Sequence, residues 1–396
     1  TVPHGASVGA KDLVLTADGG DVSVPGALVV TAITAGPSGS DAAGMGTSER
    51  PYRTLTHALT LAEAGDTLRL LNGTYSLASG ERWPSIVDGL LEPGPNIPLG
   101  VRLEGESAAA VLEGPGAGAA PQTVGLAFAG DGAAADLTLT SFVVGAFVTT
   151  GEVRLERLRA EGNALGLGAS GGNVVVTGGE LVANDLGGVL AVGEAGLELL
   201  GGSAHDNMGD GVRLGDGAPT LRAEGFEAYR NLNGVAVAGE ATATLVGVKL
   251  FENAEHGLVA EDAATLTLSA SELYANARGG LVFGGASLRV RGTTLRDNAE
   301  YGAYIEGQPE RVDFGNFTEA GENDLYGNGP NGTGDQLLDV RSDRPTLGVP
   351  EAFTLRATTL NGLTPAADIY PPNGVWPYLN APYFSILGVN NFVQIY

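Results

Sequence analysis

His256 stands beside Glu255 in the stretch LFENAEHGLV, residues 250–259, three positions after Asn253. An imidazole next to a carboxylate is a pairing used for general acid–base work. Two other clusters offer oxygen ligands. HDNMGDGVRLGDG brings Asp206, Asp210 and Asp216 close together, but Met208 occupies a ligand position of the EF-hand pattern. NDLYGNGPNGTGDQ offers Asp324, Asn328, Asn331 and Asp335 in a glycine-rich loop. Hard oxygen donors of that kind suit Ca²⁺, and ordinary turn chemistry selects the same residue types. With no cysteine in the chain, thiolate catalysis, thiolate metal sites and disulfides are excluded.

The elements that position these residues come from a repeat. The phrase around Asn253 recurs around Asn163, Asn184, Asn207, Asn231, Asn276 and Asn298, at spacings of 21, 23, 24, 22, 23 and 22. Ten and eight residues before each Asn stand two apolar residues, such as Leu197 and Leu199, or Leu266 and Leu268. The residue between them varies freely: Arg154, Val175, Glu198, Arg222, Thr244, Thr267 and Arg289. That is the alternation of a strand with one buried face. Three residues before the Asn is a further inward position, Ala160, Leu181, Ala204, Ala228, Leu250, Leu273 or Leu295. A Gly follows the Asn, usually by four residues, and then a third apolar run.

Each repeat thus carries three short strands and three turns, and no single unit can close a core. Stacked coils can, with each strand pairing in parallel to its counterpart one repeat later. The predicted fold is an all-β, right-handed parallel β-helix, since parallel crossovers are right-handed. A helical reading fails because each interior Gly costs about 1 kcal/mol relative to Ala. The seven Asn residues are expected to form a ladder, each taking the left-handed backbone conformation of a tight corner and exchanging amide hydrogen bonds between coils. Asn253 is therefore scaffolding, and His256 is expected as an exposed turn residue. His205 lies two coils from it, so the two histidines do not pair.

On these residues the chain resembles the pectate-lyase-like right-handed β-helix superfamily, over roughly residues 50–340. Residues 39–75, GSDAAGMGTSERPYRTLTHALTLAEAGDTLRLLNGTY, are similar to the entry segment of bacterial surface β-helix proteins of the DUF1565 type. Residues 1–35 resemble the last strands of an IPT/TIG domain, as a remnant or cap. The chain begins mid-sequence with no visible signal peptide, as a trimmed or mature piece would. The superfamily resemblance implies an exported protein, extracellular or at the cell surface, and its enzymes act on acidic polysaccharides. Hydrolases of the group need several Asp residues on adjacent coils of one face, and lyases need clustered acids with an Arg or Lys. The outward residues of the strand before each Asn stack no three acids, and no Asp-Asp pair or Gly-His-Gly occurs. The resemblance thus implies a non-catalytic protein binding a glycan or another cell-envelope protein, with a polysaccharide lyase or related enzyme as the alternative.

The expected organisation is a linker at 36–50, a β-helix at 51–340 opened by a capping helix at 51–64, and an aromatic-rich cap or docking segment at 341–396. Leu55, Ala58, Leu59 and Ala62 would share the helix face that plugs the first coil, with His57 in a surface or capping role. Residues 80–98, with four prolines and Trp83, form the longest early loop, and loops on a rigid scaffold often carry sites. Residues 370–396 hold seven of the chain's 24 aromatics. A net charge of −25 argues against nucleic acid and anionic membrane surfaces. No run reaches the ~20 apolar residues of a membrane span.

One outward column carries rings. Two residues before the Asn stand His205, Tyr229, Phe251 and Tyr274 in successive coils. They read either as cross-coil stacking or as a flat platform for sugar rings or a protein partner.

Overall fold

The computed structural model describes residues 9–17, 20–30, 32–87, 90–91, 97–119, 122–282, 285–306, 311–315, 319–329 and 337–340, with four short strand pieces beyond. These divide into two units, residues 1–164 and 165–396.

Both units are parallel β-solenoids. In the second unit, the sequence alternation produces one sheet from Asn173–Thr177, Gly196–Leu200, Thr220–Glu224, Thr242–Val246, Thr265–Ser269 and Ser287–Arg291. Leu197, Leu221, Ala243, Leu266 and Leu288 are in register down it and all are buried. Burying each Leu side chain contributes about 1.5–3 kcal/mol. A second sheet holds the three-residue strands Glu180–Val182, Ser203–His205, Glu227–Tyr229, Lys249–Phe251, Glu272–Tyr274 and Thr294–Arg296. The third holds the strands that come after each Asn, such as Val235–Val237 and His256–Ala260.

The first unit repeats the plan. Ile33–Ala35, Thr67–Leu70, Val101–Gly105, Gly132–Ala135 and Glu152–Glu156 stack in parallel. Gly9–Ala17 and Gly20–Val30 pair antiparallel. Residues 36–50 are hydrogen-bonded to the segment at 52–54: Gly36 N donates to Tyr52 O, and Asp41 Oδ1 accepts the Arg53 and Thr54 amides.

The helix is a correction. The expected span of 51–64 contracts to one turn, Leu55–Leu59. Thr54 caps it through the His57 amide, and buried Glu81 accepts the Leu55 and Thr56 amides. Those N-terminal bonds fix one turn only; Thr60 and Leu61 then donate at the tighter i−3 spacing. Leu55, Ala58 and Leu59 are buried as the pattern required.

The Asn ladder forms. Asn207 Nδ2 donates to Asn231 Oδ1 at 2.8 Å, Asn253 Nδ2 to Asn276 Oδ1 at 2.9 Å, and Asn276 Nδ2 to Asn298 Oδ1 at 3.0 Å. Each oxygen also accepts the backbone N–H of the preceding rung. The backbone expectation was wrong by one residue. The left-handed positions are Ala183, Asp206, Arg230, Glu252, Ala275 and Asp297, each just before its Asn, with φ from 52° to 56°. The chain turns at that outward residue, which frees the Asn side chain to point inward while its own N–H stays aimed along the stack. The Gly after the Asn serves space rather than φ. A Cβ on Gly211 would lie 2.6 Å from Gly234 O and 2.8 Å from Asn231 Nδ2.

The capping expectation for 341–396 falls outside the described residues, apart from the four strand pieces Phe353–Thr354, Thr359–Leu360, Phe384–Ser385 and Phe392–Val393.

Candidate functional site

The groove with free polar groups lies on the outer face of the first unit's main sheet. Alternation buries Leu68, Leu70, Val101 and Leu103 and so turns Arg69, Arg102 and Glu104 outward. Ala32, Thr34, Ser48, Thr67, Gly105, Glu106 and Asp136 complete a cavity of ≈ 540 Å³. The next strand of the sheet carries small residues. Ala133 and Ala135 are in register between Val101–Gly105 and Glu152–Glu156. Over them, Arg102 Nη2 reaches Glu156 Oε2 at 3.1 Å. Gly105 is required there, because a Cβ would meet Asp136 O at 2.0 Å.

Some charges in the groove are committed. Arg157 binds both oxygens of Asp136 at 2.7 Å and holds its carboxyl below the usual carboxylate range. Arg102 does the same for Glu156. Others are not. Arg69 and Glu104 make no side-chain hydrogen bond or ion pair among the described residues, and Glu106 accepts only the Asn72 amide. The groove therefore offers a guanidinium with five donors beside carboxylate acceptors, a combination that can bind hydroxyls and carboxylates. The sequence expectations rest on the Asn repeat, whose outward positions begin at residue 154, and so missed this groove. Its signal was the same apolar–x–apolar pattern in TLRL and VRLEG, in earlier coils that carry no ladder Asn.

The ring column is present and stands on edge. His205 to Tyr229 is 4.6 Å between ring centres at 5°, Tyr229 to Phe251 4.7 Å at 12°, and Phe251 to Tyr274 4.9 Å at 1°. The ring faces are turned to one another. Arg296 covers Tyr274 at 4.3 Å and Arg230 lies over Tyr229 at 4.7 Å. What reaches solvent is ring edge, whereas a sugar stacks on an open face. His205 is buried, with Nδ1 2.6 Å from Asp206 Oδ2 and Nε2 3.0 Å from Glu180 Oε1. Arg230 also binds Asp206, whose carboxyl is held at about 2. The column is a ring stack with an ion-pair knot at its His205 end.

His256 is a second correction. It is buried, not an exposed turn residue. Its backbone N–H and Nδ1 both meet Asn233 Oδ1, at 3.1 and 3.2 Å, and Nε2 has no partner. The residue opens the strand His256–Ala260, in which every residue is buried. Trp83 packs edge-on against buried Phe142 at 5.1 Å, and its Nε1 is buried without a hydrogen bond.

Of the oxygen donors considered for Ca²⁺, Asn328 is the next rung of the Asn ladder after Asn298. Its Oδ1 accepts Asn298 Nδ2 at 2.8 Å and the Asn298 amide at 3.0 Å, and its Nδ2 donates to Leu295 O at 2.9 Å. Its amide is thereby committed to the ladder. Burial raises the Asp324 carboxyl above its ordinary range. Asn331 and Asp335 lie outside the described residues. Asp206 and Asp210 are engaged by Arg230 and Arg213.

The fold and ladder define a parallel β-helix protein. Residues 144–318 match the family described as right handed beta helix region, and residues 37–142 match the protein of unknown function (DUF1565) family. Over those residues the chain is similar to right-handed β-helix proteins, in keeping with its fold. The A-module of mannuronan C-5 epimerase AlgE6 from Azotobacter vinelandii has a similar structure, with a TM-score of 0.58 at 18% identity over 80% of this chain and 91% of that one. The AlgE4 A-module of the same organism gives 0.52 at 16% identity, over 72% and 85%. At these identities the likeness speaks for the fold alone. No curated protein matches the sequence.

Proposed function

We propose that this is a non-catalytic β-helix of the cell surface or extracellular space that binds a glycan in the groove of Arg69, Arg102, Glu104 and Glu106. The observation that carries this reading is the pair Arg69 and Glu104, in register on adjacent strands and without a side-chain hydrogen bond or ion pair among the described residues. Donor and acceptor side by side on a rigid sheet suit the hydroxyls of a sugar chain. Such a chain would run across the coils. Among the described residues no helix is long and apolar enough to cross a membrane.

A carbohydrate-active enzyme is the second reading. It is favoured by the presence of Glu104, Glu106 and Arg69 in one groove, and the similar A-modules belong to epimerases of mannuronan. Calorimetry against neutral and uronate oligosaccharides, with parallel assays for unsaturated products and epimerised sugars, separates the two. Binding that falls at least tenfold in Arg69→Ala/Glu104→Ala, with no product, supports the binding reading. Product formation abolished by the same change supports the enzyme. A double variant indistinguishable from wild type in both assays overturns the groove as the site.

A further inference from the structure

The lining of the first unit's groove is unbalanced in charge. It carries Arg69 and Arg102 against Glu104, Glu106 and Asp136. Arg102 is engaged by Glu156 at 3.1 Å, and Asp136 by Arg157 at 2.7 Å. What is left is one guanidinium, Arg69, and two carboxylates, Glu104 and Glu106. Arg69 and Glu104 are in register on adjacent strands. Glu104 and Glu106 stand on either side of buried Gly105, at the end of the strand Val101–Gly105. Glu104 has no side-chain hydrogen bond or ion pair among the described residues. Glu106 Oε2 accepts the Asn72 amide at 3.2 Å, and the Glu106 backbone N–H donates to Leu70 O at 2.7 Å. Those two bonds hold Glu106 beside the strand of Arg69, Thr67–Leu70. The hydroxyls of Ser48 and Thr67, also in the lining, make no hydrogen bond among the described residues.

A ligand that covers this groove must offset the water it takes from two carboxylates, because an unpaired charge is costly to bury. A neutral sugar brings only hydroxyls, which donate one bond each. A uronate adds a further carboxylate to a site that already has a surplus of them. It also approaches a chain whose net charge of −25 repels polyanions at long range. An ammonium brings three donors and a positive charge to one point, and its bonds to carboxylates are of the strong, charge-assisted kind. The same net charge draws a polycation toward the protein. A bare metal ion lacks a ligand set, since among the described residues no three acids or histidines are placed to hold one. An amino sugar leaves its hydroxyls for Arg69, Ser48 and Thr67, so each uncommitted group of the groove finds a counterpart. We infer that the groove binds a glycan with free amino groups, its ammonium held by Glu104 and Glu106 and its ring hydroxyls by Arg69. This rests on the groove being a glycan site and names the class of glycan.

The test is calorimetry with three probes of equal length, at a pH where the amine is protonated: an oligomer of glucosamine, its fully N-acetylated counterpart, and an oligomer of mannuronate. The expected result is glucosamine binding at least tenfold tighter than the acetylated oligomer, with mannuronate weakest. E104Q/E106Q, which keeps side-chain size, should bring the glucosamine and acetylated oligomers to within about twofold of each other. D185N/E252Q removes the same charge from exposed positions of the second unit and should keep the preference. An equal loss of preference in that control shows diffuse attraction to an acidic protein and overturns the inference. Acetylated or mannuronate oligomers that bind as tightly as glucosamine, and lose binding in Arg69→Ala, also overturn it, while leaving the groove as a glycan site. No binding of any probe, or binding untouched by both Arg69→Ala and E104Q/E106Q, overturns the groove reading itself. The single variant Glu106→Gln, at an exposed side chain, is expected to weaken glucosamine binding severalfold and reads the same effect if the double variant folds poorly.

Discussion

Asn231 Oδ1 accepts two hydrogen bonds from one residue of the preceding coil: Asn207 Nδ2 at 2.8 Å and Asn207 backbone N at 3.2 Å. Asn231 Nδ2 in turn donates to Ala204 O at 2.9 Å. Every polar atom of the amide is used, at a site 2% exposed. Asn231→Ala strands those partners in the core, where each unpaired group costs about 1–3 kcal/mol. The expected outcome is a loss of about 2–4 kcal/mol in denaturant unfolding, with the aliphatic columns intact by circular dichroism. An unchanged midpoint would show the ladder contributes nothing net.

Ala275 holds φ at 55° immediately before Asn276. A left-handed non-Gly residue costs about 1–2 kcal/mol, and Gly loses about 0.5–1 kcal/mol through its unfolded-state freedom. Ala275→Gly should therefore stabilise by roughly 0.5–1 kcal/mol. Ala277→Gly, two residues on and without positive φ, should not, and comparing the two thermal midpoints tests the assignment.

Phe251 sits between Tyr229 and Tyr274 with both faces covered. Each stacked pair adds about 0.5–1.5 kcal/mol beyond area burial. Phe251→Ala should destabilise by about 2–3 kcal/mol and leave glycan binding in the Arg69 groove unchanged. Lost binding with unchanged stability would restore the ring column as a platform.

His256 is held neutral. Burial, and then the nearby Arg278 charge, push its imidazole from the ordinary 6.5 down to about 4. Because the folded value is depressed, the unfolded chain takes up the proton first. Its contribution is complete above pH 6.5, declines as pH falls toward 4, and is flat below. After allowance for solvent screening the loss is about 1–2 kcal/mol. His256→Gln should flatten the stability profile between pH 6.5 and 4. Asp206, at about 2, is lost only at lower pH and should be unaffected by that change.

The sequence alone determined the coil. In a solenoid, residues about 23 apart become neighbours in space, so a one-dimensional repeat is already a contact map. That is why the buried columns, the Asn rungs from 184 to 298 and the aligned rings at 205, 229, 251 and 274 were legible as positions. The tertiary structure decided what those positions do. Ring faces turned inward along the stack because coils about 4.8 Å apart leave no space between rings. Asn328 joined the ladder although it stands 30 residues after Asn298, because Asp324–Tyr326 pairs in register with Thr294–Arg296 and brings the corner back into the stack. A second polar column formed where residue types differ: the Val248 amide donates to Ser271 Oγ, the Ser271 amide to Thr293 Oγ1, and the Thr293 amide to Asn323 Oδ1. No shared letter marks it. The same holds for the groove, where Arg102 meets Glu156 54 residues away across an alanine strand. Side-chain reach, corner φ and burial depend on register between coils, and register is a property of the folded stack rather than of any one repeat.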